Sequence, residues 1–128
     1  DLNEIITLAS LIEKEAKVDK ERKMISGVIK NRLQQGMLLQ IDASVLYSLG
    51  EHKDVVFYDD LEIDSPYNTY KYAGLPPGPI ACPGRASIDA ALNPQEHSFY
   101  YYCSKGDGSH VFSVTFDEHQ IAEQKYIK

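Results

Sequence analysis

Two apolar stripes of helical period, set almost end to end in the first 35 residues, restrict this chain more than any other feature in it. Ile5, Leu8, Ala9, Ile12 and Ala16 recur at three- and four-residue steps, which puts them on one face and predicts a helix from about Asn3 to Lys17 with Asn3 as N-cap. Met24, Ile25, Val28, Ile29 and Leu33 repeat the pattern over about Lys20 to Gln35, between Asp19 as cap and Gly36 as left-handed C-terminal residue. So short a connection makes the two helices neighbours. The first stripe has a chemical oddity at its end: Glu13 lies four residues after Ala9 and Glu15 four after Leu11, so both carboxylates flank the apolar face. Partial burial there penalises the charged form and raises the pKa toward the range of a general acid. Glu13, Lys14, Glu15 and Lys17 equally describe a solvated helix end. The helix alone does not separate these readings.

Further along, Asp42 is in place to cap a small helix, Ala43 to Leu49, closed by Gly50, and Val55 to Phe57 reads as a short strand or a loop contact. From Asp64 to Gly84 the chain carries most of its prolines and shows neither helical nor alternating pattern, yet Tyr67, Tyr70, Tyr72, Leu75 and Ile80 argue against disorder. A long ordered loop is the expectation, and such loops usually serve function. A third helix is predicted from Gly84 and Arg85 through Leu92. Ser98 to Cys103 and His110 to Val114 form a β-hairpin around the turn Lys105 to Ser109, and Thr115 and Glu118 have capping-box spacing for a last helix, Phe116 to Ile127. The fold class is α+β, mostly helical with a small antiparallel hairpin.

The 128 residues suit one domain, and a net charge of −6 without a basic block disfavours nucleic acid as a partner. No apolar run approaches the length that crosses a bilayer, so a membrane enters only through an anchor upstream of Asp1. Cys82 and Cys103 lack zinc-site spacing and are either buried thiols or one disulfide; His52, His97, His110 and His119 show no ligand spacing, with surface or capping roles as the default. Neither a metal nor a cofactor is expected.

Leu-Ala-Ser-Leu-Ile-Glu-Lys-Glu at 8–15, Ile-Ser-Gly-Val-Ile-Lys-Asn-Arg-Leu at 25–33, Gly-Met-Leu-Leu-Gln-Ile-Asp at 36–42, Ser-Pro-Tyr-Asn-Thr-Tyr at 65–70, Gly-Leu-Pro-Pro-Gly-Pro-Ile at 74–80 and Gly-Asp-Gly-Ser-His-Val-Phe at 106–112 form an ordered series. That series resembles the catalytic domain of the MltG/YceG-like endolytic murein transglycosylases. The resemblance implies a lysozyme-like α+β fold, residues 1–128 as a single catalytic domain, and an upstream membrane anchor and LysM-like region outside this fragment. It implies a lytic transglycosylase that cuts peptidoglycan glycan strands between N-acetylmuramic acid and N-acetylglucosamine and leaves 1,6-anhydromuramic ends. The implied location is the extracytoplasmic face of the bacterial cell membrane, with the wall-synthesis and elongation machinery as neighbour.

In such chemistry the sugar's own 6-hydroxyl is the nucleophile, so one glutamate can serve as acid and base. The family run Glu-Lys-Glu-Thr selects Glu15, with Ala16 here in place of the hydroxyl residue and Glu13 as second candidate. Gln40, Asp42, Tyr67, Asn68, Thr69 and Tyr70 are carried over as sugar-facing groups, tyrosine rings covering pyranose carbons and amides bonding hydroxyls. Two rival readings stand beside this one. A hydrolytic muramidase would take Asp42, Asp59, Asp60 or Asp64 as a second carboxylate, and a glycan-binding domain without turnover would need neither glutamate.

Overall fold

Helix α1 (Leu2–Glu15) is buried around most of its circumference: Thr7, Ala9, Ser10, Leu11 and Ile12 have no exposed surface. A computed structural model describes residues 1–50 and 55–126 of the chain. α1 packs mainly on α4 (Arg85–Leu92) and also meets α2 (Arg22–Gln35) and α3 (Asp42–Leu49). The neighbouring α1 and α2 follow from the two stripes, whose Ile12, Ile25 and Ile29 meet in one core with Leu39, Ile41, Ile80 and Ala90.

The ends of the helices differ from expectation in instructive ways. Asp1 caps α1, accepting from Glu4 N–H at 2.9 Å, while Asn3 lies inside the helix and donates to the Pro77 carbonyl at 3.2 Å. α1 stops at Glu15, because Ala16 is extended. Asp19 opens a short 3-10 turn, Asp19–Glu21, and α2 begins only at Arg22. Gly36 and Gly50 close α2 and α3 in the left-handed conformation, as the spacing predicts. Asp42 is the first residue of α3 and does not cap it; Ile41 holds the cap position.

The 64–84 loop is ordered and tied to α1: Ser10 Oγ donates to the Thr7 carbonyl at 2.6 Å and accepts from Ile80 N–H at 3.0 Å. Val55 to Phe57 forms no strand and leads into a 3-10 turn, Tyr58–Glu62. The hairpin pairs β1 (Tyr101–Ser104) with β2 (His110–Ser113), Tyr102 opposite Phe112. It starts later than Ser98 because the preceding carbonyls belong to α2: Asn31 Nδ2 donates to His97 O and Phe99 O, each at 2.9 Å, and Arg32 Nε to Tyr100 O at 2.6 Å. A chain whose carbonyls serve helix side chains has little left for a ladder. Thr115 and Glu118 form the expected capping box at the start of α5 (Phe116–Tyr126); Ile127 lies outside the described residues. Both cysteines are free thiols, Cys82 exposed and Cys103 buried.

Candidate active site

A cavity of about 420 Å³ opens between the end of α1, the Leu39–Asp42 segment, β1 and α5. Glu15, Gln40, Asp42, Tyr70, Tyr102 and Arg32 contribute to its wall, and His119 and Glu123 close it on the α5 side. Glu15 enters it from the last position of α1, where the negative pole of a helix gives a carboxylate no structural advantage. Its Oε1 accepts the Tyr102 hydroxyl at 2.6 Å. Burial pushes the Glu15 carboxyl above its ordinary pKa; the Tyr102 hydrogen bond opposes this most, the charge of Asp42 adds to the rise, and His110 and Lys17 oppose it less. A carboxyl so raised keeps its proton to higher pH than a surface glutamate and can deliver it into the cavity.

Glu13 points elsewhere, since two residues turn a helix by roughly 200°. Its Oε1 accepts Gly84 N–H and Ser87 Oγ–H, both at 2.9 Å, and Arg22 Nη1 donates to the same Ser87 hydroxyl at 2.9 Å. The carboxylate thus sits on the N-terminus of α4, where orphan amides and the dipole favour an anion. The Gly84 and Ser87 bonds hold its pKa below the usual glutamate range. A depressed pKa contributes stability above the unfolded-state value that is lost as pH falls through the folded-state value. Glu13→Gln is therefore expected to lower stability at pH 7 by roughly 1 kcal/mol, with the gap to wild type closing in thermal melts toward acid pH.

Of the groups carried over as sugar-facing, the structure brings Gln40, Asp42 and Tyr70 to the cavity with Glu15. Tyr70 donates its hydroxyl to Asp42 Oδ1, and burial first, then that bond, pushes the phenol's pKa up. Gln40 has φ +52°, a left-handed conformation rare away from glycine, and its N–H is tied to the Thr69 carbonyl at 3.1 Å. Asn68 and Thr69 are buried and spend their polar groups on the chain itself. Asn68 Nδ2 donates to Leu61 O and Ile63 O and its Oδ1 accepts Tyr70 N–H; Thr69 Oγ1 accepts Ile41 N–H at 2.8 Å. They hold the loop that presents Tyr70, and Tyr67 packs on Tyr47 at 4.8 Å and on the core. None of these three lines the cavity.

Sequence reasoning missed Tyr102, Arg32, His119 and Glu123. Tyr102 stood in the run Tyr100-Tyr101-Tyr102 with nothing to mark which ring faces Glu15; the hairpin register decides that. Nor are the histidines simple surface groups. His97 Nε2 donates to Met24 O at 2.9 Å, and His110 Nδ1 donates to Glu21 Oε1 at 2.8 Å with both side chains largely buried. His52 lies outside the described residues.

A sequence model of the YceG-like family matches residues 1–125. The chain belongs to the YceG-like family. Among its relatives, the endolytic murein transglycosylase of Bacillus subtilis (strain 168) is 51% identical over 126 residues, covering 98% of this chain and 35% of that protein. The endolytic murein transglycosylase of Streptococcus pneumoniae serotype 2 is 36% identical over 126 residues, covering 92% of this chain and 22% of that protein. A crystal structure of a YceG-like protein from Listeria monocytogenes superposes with a TM-score of 0.89 at 48% identity, over 94% of this chain and 38% of that one. This YceG-like chain therefore spans between about a fifth and two fifths of the length of these relatives, and it shares its α+β architecture with the Listeria protein.

Proposed function

We propose that this YceG-like chain is the catalytic part of a peptidoglycan lytic transglycosylase, with Glu15 as its single acid and base. The observation that carries the reading is a half-buried carboxyl of raised pKa in the wall of a cavity, while Glu13 is engaged at the N-terminus of α4. The names of the Bacillus and Streptococcus relatives supply the substrate class.

In the proposed reaction Glu15 gives its proton to the bridging oxygen between N-acetylmuramic acid and N-acetylglucosamine, and the C1–O bond electrons leave with that oxygen. The resulting carboxylate takes the proton of the muramoyl 6-hydroxyl as its oxygen bonds to C1. Acid and base are restored without water, and the product is a 1,6-anhydro end. In this proposal Gln40, Asp42 and Tyr70 orient the sugars by amide, carboxylate and phenol hydrogen bonds, a role supported by their lining the same cavity as Glu15. The corresponding setting is the extracytoplasmic face of a bacterial cell membrane, with an N-terminal anchor and the wall-synthesis machinery as extensions of the same proposal.

Asp42 favours one second reading, hydrolysis, since a further carboxylate shares the cavity and retaining or inverting enzymes use two. Digestion of purified glycan strands followed by mass spectrometry separates the two. The expected products carry anhydromuramic ends, 18 mass units below hydrolytic reducing ends, roughly one water; reducing ends alone would replace transglycosylation by hydrolysis.

A further inference from the structure

The two oxygens of Glu15 are treated differently by the fold. Oε1 accepts from Tyr102, whereas Oε2 has no hydrogen-bond partner among the described residues, and the carboxyl belongs to the cavity wall. Tyr102 is itself held on several sides. It lies opposite Phe112 with ring centroids 6.0 Å apart, and meets the His110 ring edge-on at 5.2 Å and 89°. His110 is gripped by Glu21, which accepts its backbone N–H at 3.0 Å and its Nδ1–H at 2.8 Å. Glu21 belongs to the turn that follows α1, so the hairpin and the helix carrying Glu15 are fastened to each other through this chain of contacts.

On the reading of Glu15 as the acid, we propose that Tyr102 is its positioning residue: the phenol claims Oε1 as acceptor, leaves the transferable proton on Oε2, and stabilises the carboxylate once that proton has gone. A hydrogen bond to a neutral carbonyl oxygen strengthens when the group becomes an anion, so the contact counts for more in the transition state than before it. The O–H bond of Oε2 breaks as one forms on the bridging oxygen, and the proton of the 6-hydroxyl later replaces it. The phenol proton stays in place throughout. Burial and the neighbouring Glu15 charge hold the Tyr102 pKa well above the ordinary tyrosine value. The titratable groups acting on this pair are Asp42, His110 and Lys17 around Glu15 and Arg32 and Tyr70 around Tyr102.

Tyr102→Phe keeps the ring and removes the donor. The expected result on glycan strands is a fall in kcat of about 10- to 100-fold with little change in KM. Because the phenol lowers the Glu15 pKa, its loss moves the basic limb of the kcat/KM profile to higher pH, and a carbon-13 titration of the Glu15 carboxyl moves the same way without substrate. Site-specific difluorotyrosine at position 102, a stronger donor, moves both to lower pH and covers the case in which the phenylalanine variant does not fold. A fall in activity with both titrations unmoved would mean a merely structural ring and overturn the proposal. Wild-type activity in Glu15→Gln would instead overturn the acid assignment, and the role of Tyr102 with it.

Discussion

Glu15→Gln is expected to lower glycan-strand cleavage by about 100- to 10,000-fold, the span that a positioned proton donor contributes, while the protein folds normally. The amide is isosteric and its oxygen still accepts the Tyr102 hydroxyl that Oε1 accepts at 2.6 Å. What it lacks is a proton to give. Stability runs the other way. A carboxyl whose folded-state pKa is raised binds its proton more tightly when folded, so it favours folding below the unfolded-state pKa and loses that advantage as pH rises through the folded value. Glu15→Gln is therefore expected to melt at or above wild type at pH 8, with the difference vanishing in acid. A variant that is inactive and no less stable identifies a group kept for chemistry at a cost in stability. Full activity would move the acid role away from Glu15, and lower stability at pH 8 would mean the carboxylate is a structural partner as Glu13 is.

That contrast between Glu13 and Glu15 marks the boundary of what the sequence makes legible. The stripe Ile5, Leu8, Ala9, Ile12 places both carboxylates at the edge of one apolar face, and local periodicity is all such a pattern contains. Which edge meets α4 and which meets a cavity depends on Gly84, Ser87 and Tyr102, respectively 71, 74 and 87 residues away. The helices and the hairpin follow from periodicity and turn chemistry, and their ends shift only where side chains intervene, as Arg32 and Asn31 do before β1. The loop motif of residues 65–70 mixes two duties that composition cannot tell apart. Its Tyr70 reaches the cavity, while Asn68 and Thr69 are consumed in building the turn that carries it.

Gly27 is the clearest long-range constraint, and Gly27→Ala is expected to destabilise the protein although alanine is the better helix former. A Cβ there would lie 2.2 Å from the Gln95 carbonyl oxygen and 2.6 Å from His97 Nε2. The oxygen is backbone and cannot rotate aside, and its segment is fastened to α2 on both sides of the contact: Gln95 N–H donates to Lys23 O at 3.0 Å, His97 Nε2 to Met24 O at 2.9 Å, and Asn31 Nδ2 to His97 O at 2.9 Å. Making room means lifting this strap and breaking part of that set. Overpacking of this kind costs about 3 kcal/mol, against which the helix propensity of alanine returns about 1 kcal/mol, and the remainder lowers Tm by on the order of 8 °C. Because the strap runs directly into β1 and Tyr102, activity is expected to fall together with Tm, unlike Glu15→Gln, where activity alone is lost. A Gly27→Ala protein that melts at or above wild type would show that the strap moves off α2 without cost, and would remove the rigid connection through which α2 positions the hairpin against Glu15.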